Sequence, residues 1–85
     1  MANAEIKMKN VATVSIHVEV LDVNDDDEPV FCGDLDPKAE SPSFEVKPHQ
    51  ENLDYQIKWK ATAKDHADKS DMPYVENGET VSVSV

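Results

Sequence analysis

The chain has 85 residues, with 18 acidic against 8 basic side chains and a formal net charge of −10. That length allows one small domain with a modest core. The charge excludes the basic surface that nucleic acid needs, and a polybasic grip on anionic lipid.

In chain order, the first signal is a period of two. From Ile6 to Val20 the even positions read Ile6, Met8, Asn10, Ala12, Val14, Ile16, Val18 and Val20. The odd positions between them read Lys7, Lys9, Val11, Thr13, Ser15, His17 and Glu19. From Thr13 onward this alternation, rich in β-branched residues, predicts a half-buried strand. Asn10 interrupts the apolar row, so residues 5–9 read as a separate strand.

The strand runs into an acidic knot, Leu21-Asp22-Val23-Asn24-Asp25-Asp26-Asp27-Glu28-Pro29-Val30-Phe31. Its five acids between positions 22 and 28 carry half of the net charge. Like charges this close repel by about 1 kcal/mol per pair at 4 Å even in bulk water. Dense hard oxygens suit Ca²⁺ better than Mg²⁺, which prefers one or two carboxylates plus water. The plainer reading is a solvated acidic loop that aids solubility. An EF-hand does not fit. With Asp22, Asn24 and Asp26 at its first, third and fifth positions, Asp27 falls where glycine is required and Gly33 where glutamate is required.

Pro29, Pro37, Pro42 and Pro48 punctuate residues 28–50, which suits edge strands and turns. Asp36 to Glu40 allows one helical turn at most, and Ser43 to Lys47 is a short strand candidate. Tyr55, Ile57, Trp59, Ala61 and Ala63 then alternate with Gln56, Lys58, Lys60, Thr62 and Lys64, a second clear strand. Residues 65–73 are polar, end in Met72-Pro73 and read as a loop. Asn77-Gly78 is a hairpin-turn signal, followed by the strand Thr80-Val81-Ser82-Val83-Ser84-Val85. The class is all-β and antiparallel, because alternating strands bury one face.

The remaining chemistry-bearing residues are sparse. Cys32 is the single cysteine, so it has no internal disulfide partner; it reads as a partly buried free thiol with no activating base in its neighbourhood. His17, His49 and His66 do not cluster in sequence, which argues against zinc. Trp59, Tyr55 and Ile57 share a strand face and read as core, as do Phe31 and Phe44. Glu45, Glu51 and Asp54 have no setting that would raise a pKa for acid–base work. With no nucleophile elbow and no glycine-rich phosphate cradle, no enzyme is expected.

The string from Thr13 to Asp25, followed by Pro29-Val30-Phe31, resembles the last strand and inter-repeat linker of a cadherin extracellular repeat, a D-x-N-D-N-x-P-x-F pattern. The resemblance implies Asp22, Asn24 and Asp25 as calcium ligands, with Asp26 in place of the usual asparagine. One residue is inserted before Pro29. Downstream, Ala63-Lys64-Asp65 matches the family's A-x-D motif and implies Asp65 as a further ligand. Thr80-Val-Ser-Val-Ser-Val85 echoes Thr13-Val-Ser-Ile-His-Val18, the same strand in two successive repeats on this reading. The family's D-R-E motif is missing, and Asp34-Leu35-Asp36 follows the linker too closely to be its D-x-D motif. A sandwich of seven strands needs roughly 100 residues, more than remain after Phe31.

The resemblance therefore implies a small or incomplete immunoglobulin-like, cadherin-like Greek-key sandwich. Residues 1–21 would be a strand ending a preceding repeat, 22–31 the acidic linker, and 32–85 a shortened repeat; a single small domain is the alternative. It implies calcium-dependent cell–cell adhesion through a homophilic or heterophilic protein partner, in the ectodomain of a cell-surface protein. No secretory signal or membrane span is read in this chain. In a cadherin-like arrangement Asp65 and the Asp22–Asp26 segment lie near opposite ends. The competing expectation is an immunoglobulin-like interaction or structural domain that needs no metal and uses its acids for solubility or for a basic partner. A third is self-association through exposed strand edges.

Overall fold

A computed structural model describes residues 2–85. The strands are β1 (Ala4–Asn10), β2 (Ile16–Asp22), β3 (Glu28–Leu35), β4 (Phe44–Val46), β5 (Tyr55–Thr62), β6 (Lys69–Asp71), β7 (Tyr74–Val75) and β8 (Thr80–Val83). A short 3-10 turn, Val23–Asp25, follows β2. The strands form two sheets, β4-β1-β8 and β3-β2-β5-β6, with β7 also pairing β5. The chain is a small all-β sandwich.

The apolar rows decide which face goes inward. Ala4, Ile6 and Met8 of β1, Ile16, Val18 and Val20 of β2, and Ile57, Trp59 and Ala61 of β5 are all buried. Leu35 of β3, Phe44 and Val46 of β4, Val75 of β7, and Val81 and Val83 of β8 complete the core. Each buried aliphatic side chain contributes roughly 1.5–3 kcal/mol. Phe31 is half-buried and stacks on Phe44 across the two sheets, ring centroids 6.3 Å apart.

Residues 4–22 supply strands to both sheets. β1 is the central strand of the smaller sheet, and β2 lies between β3 and β5 in the larger one. Residues 22–31, read as an acidic linker, form the end of β2, the hairpin connection and the start of β3. Antiparallel pairing dominates, with one exception: β1 and β8 run parallel, Lys7 beside Thr80 through Asn10 beside Val83.

Three strands escape the periodicity. β3 is an edge strand, which is where Pro29 is tolerated for want of an N–H. A bulge between Val20 and Leu21 places Val30 as an extra residue on β3 and turns Phe31 inward. β6 lies within residues 65–73, expected to be loop, and β7 directly after them; both pair with one side of β5, divided at Met72-Pro73. Asp36–Glu40, which allowed one helical turn at most, is a turn closed by the Ala39 N–H on the Asp36 carbonyl at 2.9 Å, with Lys38 left-handed at φ 68°.

Asn10 ends β1 and is fully buried. Its amide donates to the carbonyls of Val14 and Leu35, both at 2.9 Å, and its Oδ1 accepts the Ala12 N–H at 2.8 Å. The residue that breaks the apolar row thus ties β1, the β1–β2 crossover and the end of β3 together. That crossover occupies residues 11–15, so β2 starts at Ile16 and not at Thr13.

Candidate functional site

The acidic hairpin end is the first candidate. Asp22 closes β2 with only 1% of its surface exposed. Its Oδ1 accepts the Asn24 N–H at 3.2 Å, and its Oδ2 accepts the Lys47 N–H at 2.8 Å. Burial pushes its carboxyl above the usual carboxylate range; the two N–H bonds oppose that shift, and the nearby Asp25 charge adds to it. Asn24 donates to the carbonyls of Lys47 and Asp54 at 3.0 and 2.9 Å. Asp25 pairs with the Lys47 ammonium at 3.0 Å, a contact that holds the lysine above its ordinary pKa. Asp22, Asn24 and Asp25 therefore all engage the segment that follows β4.

Asp26 and Asp27 are exposed and turn the chain with left-handed backbones, φ 53° and 56°. Aspartate and asparagine tolerate this conformation better than most side chains. Part of the acid run is thus turn chemistry. Asp65 is also left-handed, φ 64°, in the turn after β5. The β2–β5 register sets Ile57 beside Asp22 and Thr62 beside His17. Five strand steps separate those ends, about 17 Å at 3.4 Å per residue. Asp65 follows Thr62, so the structure does not bring it to Asp22, Asn24, Asp25 and Asp26, which share one hairpin end.

The second candidate is a cluster that the sequence order hides. In the β2–β3 pair, His17 lies opposite Asp34 and Glu19 opposite Cys32. All four project from the outer face, because their neighbours Ile16, Val18, Val20 and Leu35 point into the core. His17 Nδ1 lies 2.8 Å from Asp34 Oδ1. His17 Nε2 lies 3.6 Å from Cys32 Sγ and 3.8 Å from Glu19 Oε1. Cys32 is exposed, not partly buried, and it does have a base beside it. The hairpin register is what joins them; reading Glu28–Leu35 as the partner of Ile16–Asp22 would have found the cluster, and Pro29 masked that strand.

The thiol–imidazole–carboxylate order is that of a nucleophile with its base. Here it stands on an open sheet face. The backbone N–H groups around it lie in the plane of the sheet, not above it where a developing oxyanion would need them.

Comparison with protein-family models, with curated proteins and with solved structures finds no match to this chain. No helix among the described residues is long and apolar enough to cross a membrane.

Proposed function

We propose that this chain is a calcium-independent, immunoglobulin-like interaction module that takes an extended, basic segment of another protein as an added strand. The observation that carries this reading is the free edge of β8. Among the four sheet edges, β4 is three residues long between Pro42 and Pro48, and β3 carries Pro29 and a bulge. The β6–β7 edge carries Lys69, Asp71 and Pro73. These are the usual devices against strand pairing. β8, four residues long, carries neither proline nor charge: Thr80 to Val85 is free of charged side chains and proline.

Its backbone is oriented for the task. The Lys7 N–H donates to the Glu79 carbonyl at 3.1 Å, and the Val11 N–H to the Val83 carbonyl at 2.9 Å. Odd-numbered peptide groups therefore face β1, and those of Thr80 and Ser82 face outward. An incoming strand would pair with these groups, a recognised mode of peptide capture. The net charge of −10 favours a basic partner and opposes a second copy of the chain.

The reading keeps the class of the adhesion expectation, a domain that holds another protein, without calcium at the hairpin end. At that end both Asp22 oxygens already accept N–H groups and Asp25 faces the Lys47 ammonium, so part of the negative charge is met by the protein itself.

The test uses a synthetic peptide alternating lysine and valine, titrated into the labelled 85-residue chain. Amide shifts should concentrate on Thr80–Ser84, weaken with added salt, and match between calcium chloride and sodium chloride of equal ionic strength. Ser82→Pro should abolish binding. Ser82→Lys, which keeps the strand but repels a basic segment, should weaken it. Shifts confined to residues 22–28, or dimerisation through β8 without peptide, would overturn the reading.

A further inference from the structure

We infer that His17, Cys32 and Glu19 form a surface site for a divalent transition-metal ion of the Zn²⁺ class, with Asp34 as the positioning residue. The three donors lie within 4.8 Å of one another on one sheet face. The inference is independent of the β8 edge.

The spacing fits a tetrahedral ion. With Zn–N near 2.05 Å and Zn–S near 2.3 Å, a tetrahedral angle puts N and S about 3.6 Å apart; with Zn–O near 2.1 Å, N and O stand about 3.4 Å apart. His17 Nε2 is 3.6 Å from Cys32 Sγ and 3.8 Å from Glu19 Oε1. Cys32 Sγ and the Glu19 carboxylate lie within 4.8 Å, against about 3.6 Å around a tetrahedral ion, so the set closes by a movement of about 1 Å or less in surface side chains.

The tautomer also fits. An ionised Asp34 only accepts, so the 2.8 Å contact places the imidazole proton on Nδ1. In the neutral imidazole Nε2 then carries the lone pair, on the side of Cys32 and Glu19. A carboxylate behind a ligating imidazole is the usual support for a zinc-bound histidine. Lys60 sits beside Glu19 in the β2–β5 register, but its ammonium is 3.5 Å from Asp68 and does not neutralise Glu19.

The donor set selects the ion. Thiolate and imidazole suit zinc and its neighbours, whereas Ca²⁺ takes oxygen donors. Binding replaces the Cys32 thiol proton, which passes to solvent. Three protein ligands on an open face leave the fourth position to water.

The test is a Co²⁺ titration of the reduced, metal-free chain. One equivalent should raise a thiolate-to-cobalt charge-transfer band together with tetrahedral visible bands, and Zn²⁺ should displace both. Cys32→Ser should abolish the charge-transfer band, and His17→Gln should weaken binding at least tenfold. Asp34→Asn should keep the band and weaken binding by about 10–100-fold. Asp26→Asn and His66→Gln should change nothing. All of these side chains are outside the core, so circular dichroism should show an unchanged fold. No charge-transfer band in the parent chain, or binding unaltered by Cys32→Ser and His17→Gln, would overturn the inference.

Discussion

Asp22 Oδ2 holds the backbone N–H of Lys47 at 2.8 Å, so the end of β2 in one sheet is bonded to the residue after β4 in the other. The carboxylate is buried, and both of its oxygens carry an N–H. Asp22→Ala leaves the Asn24 and Lys47 amides without that acceptor. An orphaned donor costs about 1–3 kcal/mol when fully buried; these two are part-buried and open to water, so the expected cost is about 1–2 kcal/mol in all. For a domain of this size each kcal/mol lowers Tm by roughly 4–8 °C, so thermal unfolding of the variant checks it.

The same carboxyl sets a pH dependence. Burial raises its folded-state pKa above the ordinary value of 3.8, so the folded state binds the proton more tightly than the unfolded chain. Above the folded pKa, this shift is a penalty on stability. As pH falls through the folded pKa toward 3.8, the penalty is relieved. Denaturant unfolding of the parent chain and Asp22→Asn should therefore show the parent gaining relative to the variant between neutral pH and about pH 3.5.

Asn10→Val would restore the interrupted apolar row of β1 and should still destabilise the protein. The valine cannot supply the bonds to the Val14 and Leu35 carbonyls, or accept the Ala12 N–H. The expected loss is about 2–4 kcal/mol, by the same orphaned-group argument. A variant as stable as the parent would mean that these bonds contribute nothing net.

Asp26→Asn together with Asp27→Asn keeps side chains that tolerate left-handed backbone and removes two crowded charges. Tm should rise slightly at low salt, and the gain should shrink as salt screens the parent's repulsion. A fall in Tm would mean that the charges are compensated by something other than solvent.

How much of this was legible in the sequence depends on where the register comes from. β1, β2, β5 and β8 are visible because each buries one face, and period-two alternation records that directly. β3 is not, because its proline and bulge break the alternation at the hairpin that pairs it with β2. Missing β3 also hides the His17–Glu19–Cys32 cluster, whose members meet only across that hairpin. The acid run is visible as charge, but its division of labour is not. Asp22 and Asn24 bond to Lys47 and Asp54, 23 to 30 positions away, Asp25 faces a lysine, and Asp26 and Asp27 serve the turn. A string of like letters carries no record of those partners. The parallel β1–β8 pair is hidden for the same reason, since alternation says which face is buried and not which strand lies beside it.

The most direct test of the account is amide hydrogen exchange at Asn24 and Lys47, with chelator and with millimolar Ca²⁺ at matched ionic strength. If protein hydrogen bonds fix the hairpin end, both amides are protected, and equally so in the two conditions. Free exchange of both amides in chelator, with protection gained on adding calcium, would contradict it.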